Sequence, residues 1–153
     1  NYAKDEGWTA CLSAAQGGHL DIVKYLIETR GVDVNYVSDT GFTVCLSAAN
    51  KGHLDIVQYC IEEHRVDVNY ANKEGSTACL LAVKQGDLPL VKYLIDVKGV
   101  NVNHVDNNGH DALMIAKQHH HDSIADFLSQ VKRARQHVNS PEHVQEEAPL
   151  PRV

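Results

Sequence analysis

The chain has 153 residues, a length that fits one domain with a core large enough to fold without disulfide or metal staples. Its formal net charge is −6, with 14 Lys/Arg spread thinly against 20 Asp/Glu, which argues against nucleic acid or an anionic membrane surface as partner. No apolar run approaches the length of a membrane span and no signal-peptide pattern opens the chain, so no membrane insertion is expected.

The first unit sets out a plan that the rest follows. Thr9 is placed to N-cap a short helix built on small residues: Ala10, Cys11, Ser13, Ala14 and Ala15. Gly17-Gly18 stops that helix, and a second is predicted over 20–29, with Leu20, Val23, Leu26 and Ile27 on its buried stripe. RGVDVNYVSDTG then reads as extended chain and a turn, for which Gly41 supplies the backbone freedom.

The same plan then returns. Residues 7–28 and 41–62 are identical at 16 of 22 positions, and Gly7, Gly41, Gly75 and Gly109 stand 34 residues apart. Thr9, Thr43 and Thr77 keep the same step, with Asp111 in the fourth place, as do Asn35, Asn69 and Asn103. Four units follow, roughly 1–34, 35–68, 69–102 and 103–136. Such a unit cannot bury both its faces alone, so neighbours must stack to make a core. The fourth reads as a C-terminal cap, its last helix facing inward through Ile124, Phe127, Leu128 and Val131. Lys132, Arg133 and Arg135 are placed to meet that helix's last carbonyls. The first unit shows no such adaptation, and further repeats or another domain are expected ahead of it. Residues 137–153 are polar, carry three of the four Pro and read as a disordered or extended tail.

The pattern G-x-T-x-C-L-x-A-A…G-H-L-D-I-V…V-D-V-N resembles the ankyrin repeat, over about 135 residues. The resemblance implies an all-α solenoid of stacked helix-turn-helix units with β-hairpin-like loops. It departs from the family at Thr9-Ala10-Cys11-Leu12, where Thr-Pro-Leu-His is usual. It also carries one residue more per unit than the usual 33, assigned to the loop at Thr29-Arg30-Gly31.

The chemistry-bearing residues mostly take structural readings. Cys11, Cys45 and Cys79 are one stacking step of roughly 10 Å apart, too far to bridge, and with Cys60 they read as core fillers. That points to a reducing, intracellular and cytoplasmic compartment. His119, His120 and His121 are adjacent on a turn and lack zinc-site spacing, so no metal and no cofactor is expected. His19 and His53 read as loop braces, and Tyr25, Tyr59 and Tyr93 as packing residues on second helices. No nucleophile elbow, phosphate loop or paired-carboxylate motif appears, and no catalysis is expected.

The resemblance implies that hairpin tips and first-helix exposed sides form a concave partner-binding surface. Mapped here, it comprises Asp5, Glu6, Trp8, Asp39, Thr40, Phe42, Asn50, Lys51, Lys73, Glu74, Lys84 and His110, with Gln16, Ser76, Gln85, Asn107, Asn108 and Gln118 beside them. Tyr2, Tyr36 and Tyr70, with His104, form a second ladder that either meets the partner or packs on the next hairpin. Trp8 and Phe42 are the expected hot-spot pair. The expected role is a protein–protein interaction module or scaffold holding a protein segment. The alternative is a regulatory or targeting arm of a larger enzyme or channel; the chain's own tail or a neighbouring chain is a further candidate occupant.

Overall fold

The computed structural model describes residues 2–97 and 99–138, with side chains described for 6–97 and 99–137. Among these, four helix pairs follow one another: α1 (Tyr2–Gly17) with α2 (Leu20–Lys24), α3 (Val44–Lys51) with α4 (Leu54–His64), α5 (Ala78–Gln85) with α6 (Leu88–Asp96), and α7 (Ala112–Gln118) with α8 (Asp122–Val138). α2 runs on through one π-helical turn, Tyr25–Thr29. The first helices pack in a continuous row, α1 on α3 on α5 on α7, while the second helices touch their own partners more than one another. Small side chains explain the difference. Cys45, Ser47, Ala48 and Ala49 of α3 are all buried, and their size lets neighbouring helices approach closely.

Each later pair opens with a side-chain cap. Thr43 Oγ1 accepts from Leu46 N at 3.2 Å, Thr77 Oγ1 from Leu80 N at 3.3 Å, and Asp111 Oδ1 from Met114 N at 2.9 Å. The loops between pairs are fingers without strand pairing among the described residues. Each finger folds on an acceptor one turn before its cap. Ser38 Oγ accepts from Phe42 N; Asn72 Oδ1 accepts from Glu74 N and Ser76 N; Asp106 Oδ1 accepts from Asn108 N and His110 N. Gly41 and Gly75 take left-handed backbone at the finger tips, and a Cβ on either would strike the next finger's backbone.

α1 departs from the sequence expectation. Thr9 does not cap a helix, because α1 is already helical from Tyr2 and passes straight through Gly7, Trp8 and Thr9. The position that holds Ser38, Asn72 and Asp106 is Lys4 in the first unit. Lysine has no acceptor with which to fold the turn, so the helix continues instead.

The C-terminal end also differs in detail. Lys132 Nζ reaches Asp111 Oδ2 at 2.7 Å rather than the last carbonyls of α8. Burial opposes ionisation of Asp111, but the bonds from Lys132 and from Met114 N outweigh it and hold the carboxyl below its usual 3.8. Arg135 donates to Ile95 O and Val100 O, pinning α8 to the end of α6 and the loop after it, while Arg133 Nε donates to Ser129 O one turn back in α8. α8 carries the helix to Val138, and the rest of the expected tail lies outside the described residues.

A left-handed position follows the second helix of each of the first three units: Gly31 at φ 71°, Arg65 at φ 50° and Gly99 at φ 90°. Arg65 alone carries a Cβ there, which strains left-handed backbone. Arg65→Gly should therefore stabilise the fold by about 0.5–1 kcal/mol, the strain relieved exceeding the chain entropy lost. Urea unfolding checks this, with a higher midpoint at unchanged slope as the expected result.

Candidate interaction surface

The fingers bond sideways as well as to themselves. Lys73 N donates to Thr40 O at 3.5 Å and Asn107 N to Glu74 O at 3.0 Å. Asn107 Nδ2 adds a bond to Lys73 O at 2.7 Å. Below them, Tyr70 Oη donates to Gly41 O at 3.0 Å, and His104 Nε2 donates to Gly75 O at 2.8 Å. A carbonyl can only accept, so His104 carries its proton on Nε2. These bonds tie each finger to the one before it. For Tyr70 the packing alternative holds: its hydroxyl is committed to the neighbouring finger. Tyr36 does not extend that bonding ladder; its ring lies 4.7 Å from Trp8, centroid to centroid.

One groove gathers much of the sequence-derived surface. Lys73, Glu74, Ser76, Asn107, Asn108 and His110 of the last two fingers meet Lys84 and Gln118 of α5 and α7 around about 490 Å³. His110 lines it, with Nδ1 3.7 Å from Asp106 Oδ2 and Nε2 accepting from Gln118 Nε2 at 3.4 Å. Leu80 and Ile115 give the groove an apolar floor. Asp106, Leu80 and Ile115 line it too, outside the surface mapped from the sequence, as does His119, which the sequence marks only as part of the His turn. The place of Asp106 was legible in the period, since it occupies the Ser38/Asn72 step.

Other expected site residues lie elsewhere. Asp39 and Thr40 are exposed on the preceding finger, and Lys51 is exposed at the end of α3. Asn50 Oδ1 accepts from Gln85 Nε2 at 3.3 Å, joining the ends of α3 and α5. Phe42 is half-buried against the core. Trp8 is not on a finger at all, since α1 carries it onto Tyr36. With Glu6, Leu26, Arg30 and Val32 it borders a separate cleft of about 700 Å³ at the other end of the molecule. The expected Trp8–Phe42 pair of adjacent finger positions does not form. The side chains of Tyr2 and Asp5 lie outside the described residues.

The four cysteines are free and buried, as core fillers should be. Burial raises the Cys11 and Cys79 thiols from 9.0 to about 11. Cys60 is pushed up as well, by its contact with the Cys45 thiol and then by burial. Among the described residues no cluster of His, Cys, Asp or Glu is placed to hold a metal ion. His119 and His121 stack at 5.9 Å, and His121 Nε2 donates to Lys84 O at 3.2 Å. His53 makes the equivalent bond to Gln16 O at 2.9 Å, bracing one pair on the previous one. No described helix is long and apolar enough to cross a membrane.

Stacked helix pairs with laterally bonded fingers define a helical-repeat solenoid. The family model for ankyrin repeats (three copies) matches residues 1–72 and again 45–140, and the chain belongs to that family. No curated protein matches the chain significantly. Ankyrin repeats are generally protein–protein interaction modules.

The thiols give a direct check of the core. A thiol whose pKa is raised on folding supports the fold below the unfolded value of 9.0 and ceases to as pH rises toward about 11. Native protein at pH 8 should react slowly with a thiol reagent, release four thiols on denaturation, and lose stability between about pH 9 and 11.

Proposed function

We propose that the chain holds a segment of another protein along its concave face, with the groove between the last two fingers as the principal contact. The carrying observation is the groove's construction: a rigid, laterally bonded wall, an apolar floor of Leu80 and Ile115, and exposed Lys73, Glu74 and Lys84 at the rim. Donors and acceptors fixed before binding reduce the ordering cost of association. A floor with a polar rim is the usual anatomy of a protein-binding patch. The two lysines face a ligand backbone or acidic side chain without competing for any ion pair of their own among the described residues.

The role is binding without chemistry. His110 is oriented by Asp106 and Gln118, yet the arrangement serves recognition equally well, and the repeat period accounts for Asp106 as a finger acceptor. Lys73→Glu/Lys84→Glu should leave the fold intact, because both side chains are exposed. It should weaken a captured protein partner at least tenfold, with the loss growing at low salt. A charge reversal away from the groove, Arg133→Glu on α8, serves as the control. Equal capture by wild type and the double variant would move the contact off this groove.

A further inference from the structure

The pairs after the first meet their predecessor through one recurring face. Ile56, Leu90 and Ile124 are 0%, 0% and 2% exposed, whereas Ile22 at the same step is 45% exposed. Tyr59 is 5% exposed and Tyr25 is 53%. Val44, Ala78 and Ala112 are buried where Ala10 is exposed. α1 does not fold back over this face, for all its extra length.

The covering helix follows a chemical rule. Tyr59 Oη donates to Glu28 Oε1 at 2.8 Å and Tyr93 Oη to Glu62 Oε1 at 2.9 Å. Four residues before the carboxylate stands a residue that reaches the next ring. Lys24 Nζ lies 5.2 Å from the Tyr59 centroid, and Lys92 Nζ, four before Asp96, lies 5.7 Å from that of Phe127. Gln58 precedes Glu62 by the same step. On the first-helix side, His53 and His121 donate to carbonyls of Gln16 and Lys84. His19 and Tyr25 offer the same two donors and meet no acceptor among the described residues.

We infer that this face, with Ile22, Tyr25 and His19 at its centre, is a stacking surface for one more repeat of the same kind. The occupant's second helix carries Lys or Gln followed four residues later by Glu or Asp, and its first helix ends in a free carbonyl opposite His19. The argument is continuity: three interfaces in one molecule are built on this face, two of them with the Tyr and two with the His, and the first pair presents both beside the same apolar residue. It stands independently of the concave-face reading.

The test places a copy of residues 35–68 ahead of Asn1, so that the copied Gln58 and Glu62 fall opposite Tyr25. Tyr25→Ala should shift the Tm of the unextended chain by less than ~1 °C and lower that of the extended chain by about 5 °C or more. In the extended chain, replacing the copied Glu62 by Gln should make Tyr25→Phe nearly silent. A small, equal effect of Tyr25→Ala in both chains would overturn the inference. So would concentration-dependent dimerisation of the unextended chain that Tyr25→Ala abolishes, since a second copy would then be the occupant.

Discussion

Everything in this molecule depends on helix pairs that cannot bury both of their faces. A pair such as α3/α4 has apolar groups front and back, and only a neighbour on each side removes them from water. Burial of one Ile or Leu is worth about 1.5–3 kcal/mol, while an exposed interhelical hydrogen bond contributes about 1 kcal/mol or less. Buried apolar groups, those of the first-helix row together with Ile56, Leu90 and Ile124, therefore supply most of the cohesion between pairs. The Tyr–Glu and His–carbonyl bonds act chiefly as register marks. They select which rotation and offset of one pair on the next is accepted. Because the marks recur at the same step, the stack is regular, and the fingers arrive close enough to bond sideways.

That regularity is what turns a stack into a binding surface. The finger backbone is fixed twice: within each finger by Ser38, Asn72 or Asp106, and between fingers by bonds such as Asn107 N to Glu74 O. Side chains on such a frame hold their positions before any ligand arrives. Lys73, Lys84 and His110 come from three different stretches of chain, yet they share one groove because the frame repeats. A solenoid can change its partner by changing these side chains and leave its core alone.

The period made most of this legible in the sequence. Thr43, Thr77 and Asp111 announce their helices, and the buried cysteines, the helix pairs and most of the groove follow from alignment of the units. Trp8 shows where alignment misleads. Its neighbours Gly7 and Thr9 match the finger signature, but the acceptor that folds a finger is missing at Lys4, and one absent oxygen changes turn into helix. Tyr25 shows a second limit. It is the same residue as Tyr59 and Tyr93 by sequence, yet its exposure is set by what lies beside it in space. The Asp106–His110–Gln118 line was only partly visible, since a finger acceptor is recognised by its step while its second contact depends on a helix beyond it.

If cohesion comes from neighbours rather than from each pair alone, protection must track how many sides are covered. Native-state hydrogen exchange resolves this amide by amide. Amides of α4 and α6, each with a pair on both sides, should exchange slowest. Those of α2 and its π-helical turn, where Ile22 and Tyr25 face solvent, should exchange markedly faster. Equal protection of α2, α4 and α6 would contradict the account, for each pair would then be stable by itself.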